Sequence, residues 1–194
     1  MNQTPSEGWF WLPGIVRRPS PNFNARPDQT KIDLLVIHNI SLPPGEFGTG
    51  YASDLLSDEL NVNAHPWFQE NLEDVHVSAH FLIERDGTTT QFVSCNDRAW
   101  HAGLSTFKGR ENCNDFSIGI ELEGTDEMPY TDVQYDTLAE LTRQLRQHYP
   151  LTNVRGHCHI APTRKTDPGS SFDWVRYAKL GNWQSHQLPN NLTV

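Results

Sequence analysis

Nine histidines in a chain of 194 residues, set among 24 acidic and 15 basic side chains, prompt a search for a metal site or an acid–base centre. The His-Glu-x-x-His signature, which puts a pair of imidazoles on one helix face, is absent, and so is any Cys-x-x-Cys pair. Ligands would therefore come from strand ends and loops, and two segments fit. His38 ends the aliphatic run Asp33-Leu-Leu-Val-Ile-His38 and precedes Ser41-Leu-Pro-Pro-Gly45, so it is read as the last residue of a central strand, facing a loop. His157 opens a segment stiffened by Pro162, Pro168 and Gly169, so that His157 and Asp167 can converge from the two ends of a turn. Two imidazoles and one carboxylate fill three corners of a zinc tetrahedron and leave the fourth open, as hydrolysis requires. His80, His101 and His159 are rival ligands, and any lone histidine of this kind could instead be a hydrogen-bonded core residue. Cys158, between two histidines, raises a thiol-hydrolase alternative, against which stands the ordinary state of free cysteine, a small buried thiol.

Such residues need a scaffold, and the length predicts one domain over 1–194, with a core at about 18–182 and loosely held tails at 1–8 and 184–194. The hairpin cue is Asp86-Gly87 between the strand-like runs Ala79–Glu84 and Thr88–Val93. Ser117–Glu123 alternates strictly, with Ile118, Ile120 and Leu122 on one face and Gly119, Glu121 and Glu123 on the other. A helix starts at Thr131, with Gln134 completing a capping box, carries Leu138, Leu141 and Leu145 on one stripe, and ends after Tyr149 at Pro150. Shorter helices are expected over Phe172–Leu180, with Phe172, Val175 and Leu180 inward, and over Ala52–Leu60. The irregular stretch from Asn39 to Val75, with the adjacent aromatics Trp67 and Phe68, is read as a lid that closes over substrate, or else as a packed loop forming a fixed wall. The net charge of −9 excludes nucleic acid as a partner, and no run approaches the roughly 20 apolar residues of a membrane span. Three cysteines, with Arg17 and Arg18 after rather than before the first apolar run, predict free thiols and a cytoplasmic protein.

Several motifs together carry a resemblance: Val36-Ile-His-Asn-Ile-Ser-Leu-Pro-Pro-Gly-Glu-Phe-Gly48, Val77-Ser-Ala-His80, Arg98-Ala-Trp-His-Ala-Gly103, Cys113-Asn-Asp-Phe-Ser-Ile-Gly-Ile-Glu-Leu-Glu-Gly-Thr-Asp126, Gly156-His-Cys158, Ile160-Ala-Pro162 and Arg164-Lys-Thr-Asp-Pro-Gly169. The chain resembles the zinc-dependent N-acetylmuramoyl-L-alanine amidases, and most closely the cytosolic branch that cleaves 1,6-anhydro-muropeptides during cell-wall recycling. The resemblance covers nearly the whole chain. It implies an α/β fold, a mixed central β-sheet flanked by helices with long loops around a zinc cleft, shared with T7-type lysozyme amidases and peptidoglycan recognition proteins. It implies one zinc ion on His38, His157 and Asp167, a catalytic acidic residue at Glu121 and a catalytic lysine at Lys165. Substrate contacts carry over to Asn39, Leu42, Trp67, Trp100 and Ala161. The expected partner is a small muropeptide.

The residues themselves agree with these roles. If Ile118, Ile120 and Leu122 are core, Glu121 faces the cleft and can take a proton from water, with Glu123 its rival on the same face; Lys165 lies close enough to Asp167 to meet an oxyanion. Trp100, beside His101, would wall the sugar–peptide junction. The chain departs from close relatives at His159, where they carry Asp or Asn, and at His76 and Asn112, where some carry Arg. Two other classes compete: a non-catalytic peptidoglycan-binding module, which usually lacks a complete metal triad, and a hydrolase using Cys158 or Cys113.

Overall fold

The computed structural model describes residues 11–189. In chain order the strands are β1 (Val16–Arg17), β2 (Phe23–Asn24), β3 (Leu34–Ile40), β4 (Phe81–Ile83), β5 (Thr89–Gln91), β6 (Arg98–Ala99), β7 (Thr106–Phe107), β8 (Arg110–Glu111), β9 (Ser117–Glu123) and β10 (Asn153–Gly156). The helices are α1 (Tyr51–Leu56), α2 (Pro66–Asn71), α3 (Asp132–Arg146), α4 (His157–Ile160) and α5 (Trp174–Leu180). A mixed six-stranded sheet of order β1-β5-β4-β9-β3-β10 forms the centre, antiparallel only at the β4–β5 hairpin.

The sheet has two differently used faces because side chains alternate along a strand. One face turns Leu35, Ile37, Ile118, Ile120 and Val154 onto Tyr135, Leu138, Leu141 and Leu145 of α3 and Tyr177 of α5, all buried in one cluster. The other face carries Leu34, Val36 and His38 from β3 beside Ser117, Gly119 and Glu121 from β9, and the register pairs His38 with Glu121. Leu34 and Val36 pack there against Ala102, Phe107, Phe116 and Ile160. The same parity that builds the core on one side thus places Ser117 and Glu121 of β9, with His38 of β3 beside Glu121, on the other.

The Asp-Gly hairpin and the bounds of β9 form as expected. The capping box at α3 is present, with Thr131 Oγ1 accepting from Gln134 N at 3.2 Å and Gln134 Oε1 accepting from Thr131 N at 3.1 Å. That helix ends at Arg146 rather than Tyr149, since the amides of His148 and Tyr149 both turn back onto the Leu145 carbonyl. β3 runs two residues past His38, to Ile40, because its partner continues to Glu123. α1 stops at Leu56, and Asp58 just beyond it adopts a φ of 63°. Asp173 caps α5 by accepting from Arg176 N, so the helix starts later than expected and its inward stripe is Trp174, Tyr177 and Ala178; Val175 and Leu180 are exposed. Residues 184–189 are not a loose tail: Leu188 is buried in the core and the Gln187 carbonyl accepts from Arg155 at 2.7 Å. The expected tail at 1–8 and residues 190–194 lie outside the described residues. None of the described helices is long and apolar enough to cross a membrane.

The stretch 39–75 holds α1, a short 3-10 turn (Val62–Ala64) and α2, closed over a small core of its own in which Leu42, Leu55 and Phe68 are buried with Tyr51, Val62 and Trp67 against them. Its packing is that of a fixed wall rather than a lid. Glu123 ties the start of this stretch to the sheet, its carboxylate accepting from Gly48 N at 2.6 Å and Arg85 N at 3.2 Å.

Candidate metal centre

β3 delivers His38, the junction of β10 and α4 delivers His157, and the loop after α4 returns Asp167 to the same point. The return is held by Cys158 N donating to the Asp167 carbonyl at 2.9 Å. It also depends on Gly156: a Cβ there would lie 2.5 Å from Pro168 Cδ, so only glycine admits so close an approach. His38 Nδ1, His157 Nδ1 and Asp167 Oδ2 form a triangle with sides of 3.0, 3.1 and 3.2 Å. A tetrahedral zinc site with bonds of about 2.0–2.2 Å has edges of roughly 3.3–3.6 Å. The triangle is within a few tenths of an ångström of that figure.

The donor chemistry fits a cation as well. His157 Nε2 lies 3.0 Å from the Ala102 carbonyl, which can only accept, so Nε2 carries a proton and Nδ1 is the ring nitrogen turned towards Asp167. Burial pushes His38 down to about 4 and holds His101 well below its usual value, so both rings are neutral at pH 7. The rival ligands are engaged elsewhere. His159 Nδ1 accepts from Gly156 N at 2.9 Å, His80 Nδ1 accepts from Gly119 N at 3.0 Å, and His101 stands behind His38, Nδ1 to Nε2 at 2.9 Å.

Glu121 stands beside the trio, its Oε1 4.0 Å from His38 Nδ1 and its side chain 13% exposed. Its Oε2 is buried with no hydrogen-bond partner among the described residues. Burial, reinforced by the charge of Asp167 and opposed by Lys165, holds its carboxyl well above the usual carboxylate range. Lys165 is therefore close enough for its charge to act on both Glu121 and His38.

These groups open into a cleft of about 760 Å³ lined also by Asn39, Trp100, Asp126 and Arg164. Asn39 Nδ2 donates to Asp126 at 2.8 Å and Trp100 Nε1 donates to Asn24 at 2.8 Å, so both are held in place. Leu42 and Trp67 do not line the cleft; they belong to the small core of the 39–75 wall. Ala161 is buried behind it, its carbonyl accepting from the amides of Arg164 and Lys165, and faces a separate cavity of about 340 Å³. Asp126 and Arg164 are cleft residues that the sequence signals only by adjacency, Arg164 next to Lys165 and Asp126 just past the end of β9.

Residues 28–170 match the family model described as N-acetylmuramoyl-L-alanine amidase. The chain belongs to the N-acetylmuramoyl-L-alanine amidase family. It is 54% identical over 185 residues to the 1,6-anhydro-N-acetylmuramyl-L-alanine amidase AmpD of Salmonella typhimurium (strain SL1344), a match covering 94% of this chain and 97% of that one. It superposes with a TM-score of 0.85 on the crystal structure of a selenomethionine AmpD derivative, at 55% identity over 88% of this chain and 96% of the other. A more distant amidase, AmiD from E. coli, solved in complex with the substrate anhydro-N-acetylmuramic acid-L-Ala-D-gamma-Glu-L-Lys, matches with a TM-score of 0.58 and 28% identity, over 80% of this chain and 60% of that one. Among these amidases the mixed sheet flanked by helices is the shared fold.

Proposed function

We propose that the chain, working as one amidase domain, hydrolyses the amide between the lactyl group of 1,6-anhydro-N-acetylmuramic acid and L-alanine, with one zinc ion on His38, His157 and Asp167. The observation that carries this reading is the three-donor triangle next to Glu121, whose buried Oε2 has no hydrogen-bond partner among the described residues. The substrate rests on the similarity to the 1,6-anhydro-N-acetylmuramyl-L-alanine amidase AmpD, and cytoplasmic recycling of cell-wall fragments is the setting we propose for it.

When bound, zinc supplies a Lewis acid for the amide carbonyl and for the attacking water. Glu121 takes a proton from that water at its free Oε2 and passes it to the departing amine nitrogen, so one water is consumed and a carboxylate and a free amine result. Its raised protonation range suits the second half of that task, in which it must give the proton up. The ammonium of Lys165 faces the oxyanion that develops on the carbonyl oxygen. Asn39 and Trp100 flank the scissile bond from the cleft walls. The thiols are poorly suited to this role: burial pushes Cys158 up to about 11 and raises Cys113, and His159 Nδ1, 3.5 Å from Cys158 Sγ, already accepts from Gly156 N at 2.9 Å.

Removing metal with a strong chelator abolishes turnover of a 1,6-anhydro-muropeptide, and one equivalent of zinc restores it. Full activity of a chain shown by metal analysis to be empty refutes the reading.

A further inference from the structure

His38 has two ring nitrogens, and only the arrangement with a proton on Nε2 presents a bare Nδ1 to the His157–Asp167 pair. What selects that tautomer lies behind the ring, in a chain of buried hydrogen bonds that ends on a carbonyl. The Ser117 hydroxyl is 2.6 Å from the Cys113 carbonyl, which can only accept, so the single hydroxyl proton is committed there. Ser117 Oγ is 3.1 Å from His101 Nε2 and must accept from it. A neutral His101 with its proton on Nε2 has a bare Nδ1, and that atom lies 2.9 Å from His38 Nε2. Read from the Cys113 end, each bond of this chain has one direction, and it places the proton of His38 on Nε2; the contact that pulls the other way is Nδ1 to Asp167 Oδ2 at 3.0 Å, the edge that a cation would take.

The backbone is built around this ring. A Cβ on Gly119 would lie 2.4 Å from His101 Cγ, so the imidazole rests directly on β9, in the gap between Ser117 and Glu121 on the same sheet face. The amides of His101 and Ala102 both donate to Asn114 Oδ1, at 3.1 and 2.7 Å. Ala102, the next residue, offers the carbonyl that fixes His157. One anchored dipeptide thus stands behind both imidazoles of the trio. An imidazole is also an acceptor that adds no negative charge to a site already holding Asp167 and Glu121.

We propose that His101 is a positioning residue that presets the Nε2–H tautomer of His38, with Ser117 and the Cys113 carbonyl setting its own direction. The inference rests on the zinc reading above for its consequence, and on the hydrogen-bond chain alone for the tautomer. Partners of this kind typically change metal affinity 10–100-fold when removed.

The test uses the full-length chain. Ring ¹⁵N shifts in the zinc-free protein report the His38 tautomer, and competition with a chromophoric chelator reports affinity for zinc itself. The expected result is an Nε2–H His38 in the parent. His101→Phe, which keeps a ring but no acceptor, loses zinc affinity by about 10–100-fold and gives a mixture of tautomers, whereas His101→Asn, which keeps an acceptor near the Nδ1 position, stays within about threefold. A parent His38 carrying its proton on Nδ1 overturns the proposal, as does a His101→Phe chain that binds zinc like the parent. The parent tautomer decides the matter even where a phenyl ring cannot be seated against Gly119. Because it is read without zinc, a parent that failed to bind the metal would sink the zinc reading and leave this measurement standing.

Discussion

Glu121 and Glu123 are two residues apart on one face of β9, and their partners separate their roles. Glu123 has both oxygens committed to backbone amides of Gly48 and Arg85, while Glu121 has Oε2 without a hydrogen-bond partner among the described residues, beside His38, His157 and Asp167. Glu121→Gln is therefore expected to lower kcat by roughly 10²–10⁴ with zinc content unchanged. Glu123→Gln is expected to leave kcat near that of the parent and to lower stability by about 1–3 kcal/mol through the lost charged acceptor. Steady-state rates with metal analysis, and urea melts, separate the two; a larger kcat loss in the Glu123 variant would reverse the assignment. At this scale the sequence made the trio legible, because each member sits at the edge of a strong local signal: an aliphatic strand, a Gly-His step, an Asp-Pro turn. It did not make legible that His101 stands behind His38, since that contact depends on three segments meeting over a glycine.

Among the elements, β9 was the most readable because strict alternation fixes both its length and its faces, and the hairpin because Asp86-Gly87 fixes its turn. α5 was not: its apolar residues fit more than one stripe until the cap at Asp173 sets the start. The glycines and prolines of 39–75 suit a lid as well as a wall, and composition says nothing of the core that Phe68, Leu42 and Leu55 make within it. With that core, hydrogen exchange across residues 45–70 is expected to be slow in the free chain and nearly unchanged by the product peptide. Phe68→Ala should cost about 3–5 kcal/mol and speed that exchange. Protection gained only on ligand binding would restore the lid.

Taken as a whole molecule, the chain buries neutral histidines in its centre, which gives its stability a sign with pH. His80 is pushed from the ordinary 6.5 down to about 3 by burial, with Arg26 adding to the effect. Between those values the unfolded chain binds a proton that the folded chain does not, so the contribution is fully present above about pH 6.5 and is lost as pH falls towards 3. Urea midpoints are expected to fall from pH 7 to pH 4 by an amount worth a few kcal/mol, and less steeply in His80→Gln, which keeps a donor and an acceptor without titrating. Identical slopes in the two proteins would assign the pH dependence to other groups.

The most direct test of the amidase reading follows the oxygen of water. A 1,6-anhydro-muropeptide is turned over by the zinc-loaded chain in H₂¹⁸O and the products are weighed by mass spectrometry. The account predicts one ¹⁸O in the lactyl carboxylate of the anhydro-sugar and an unlabelled stem peptide with a free L-alanine amine. Label in the peptide, cleavage at another bond, or intact substrate would contradict it.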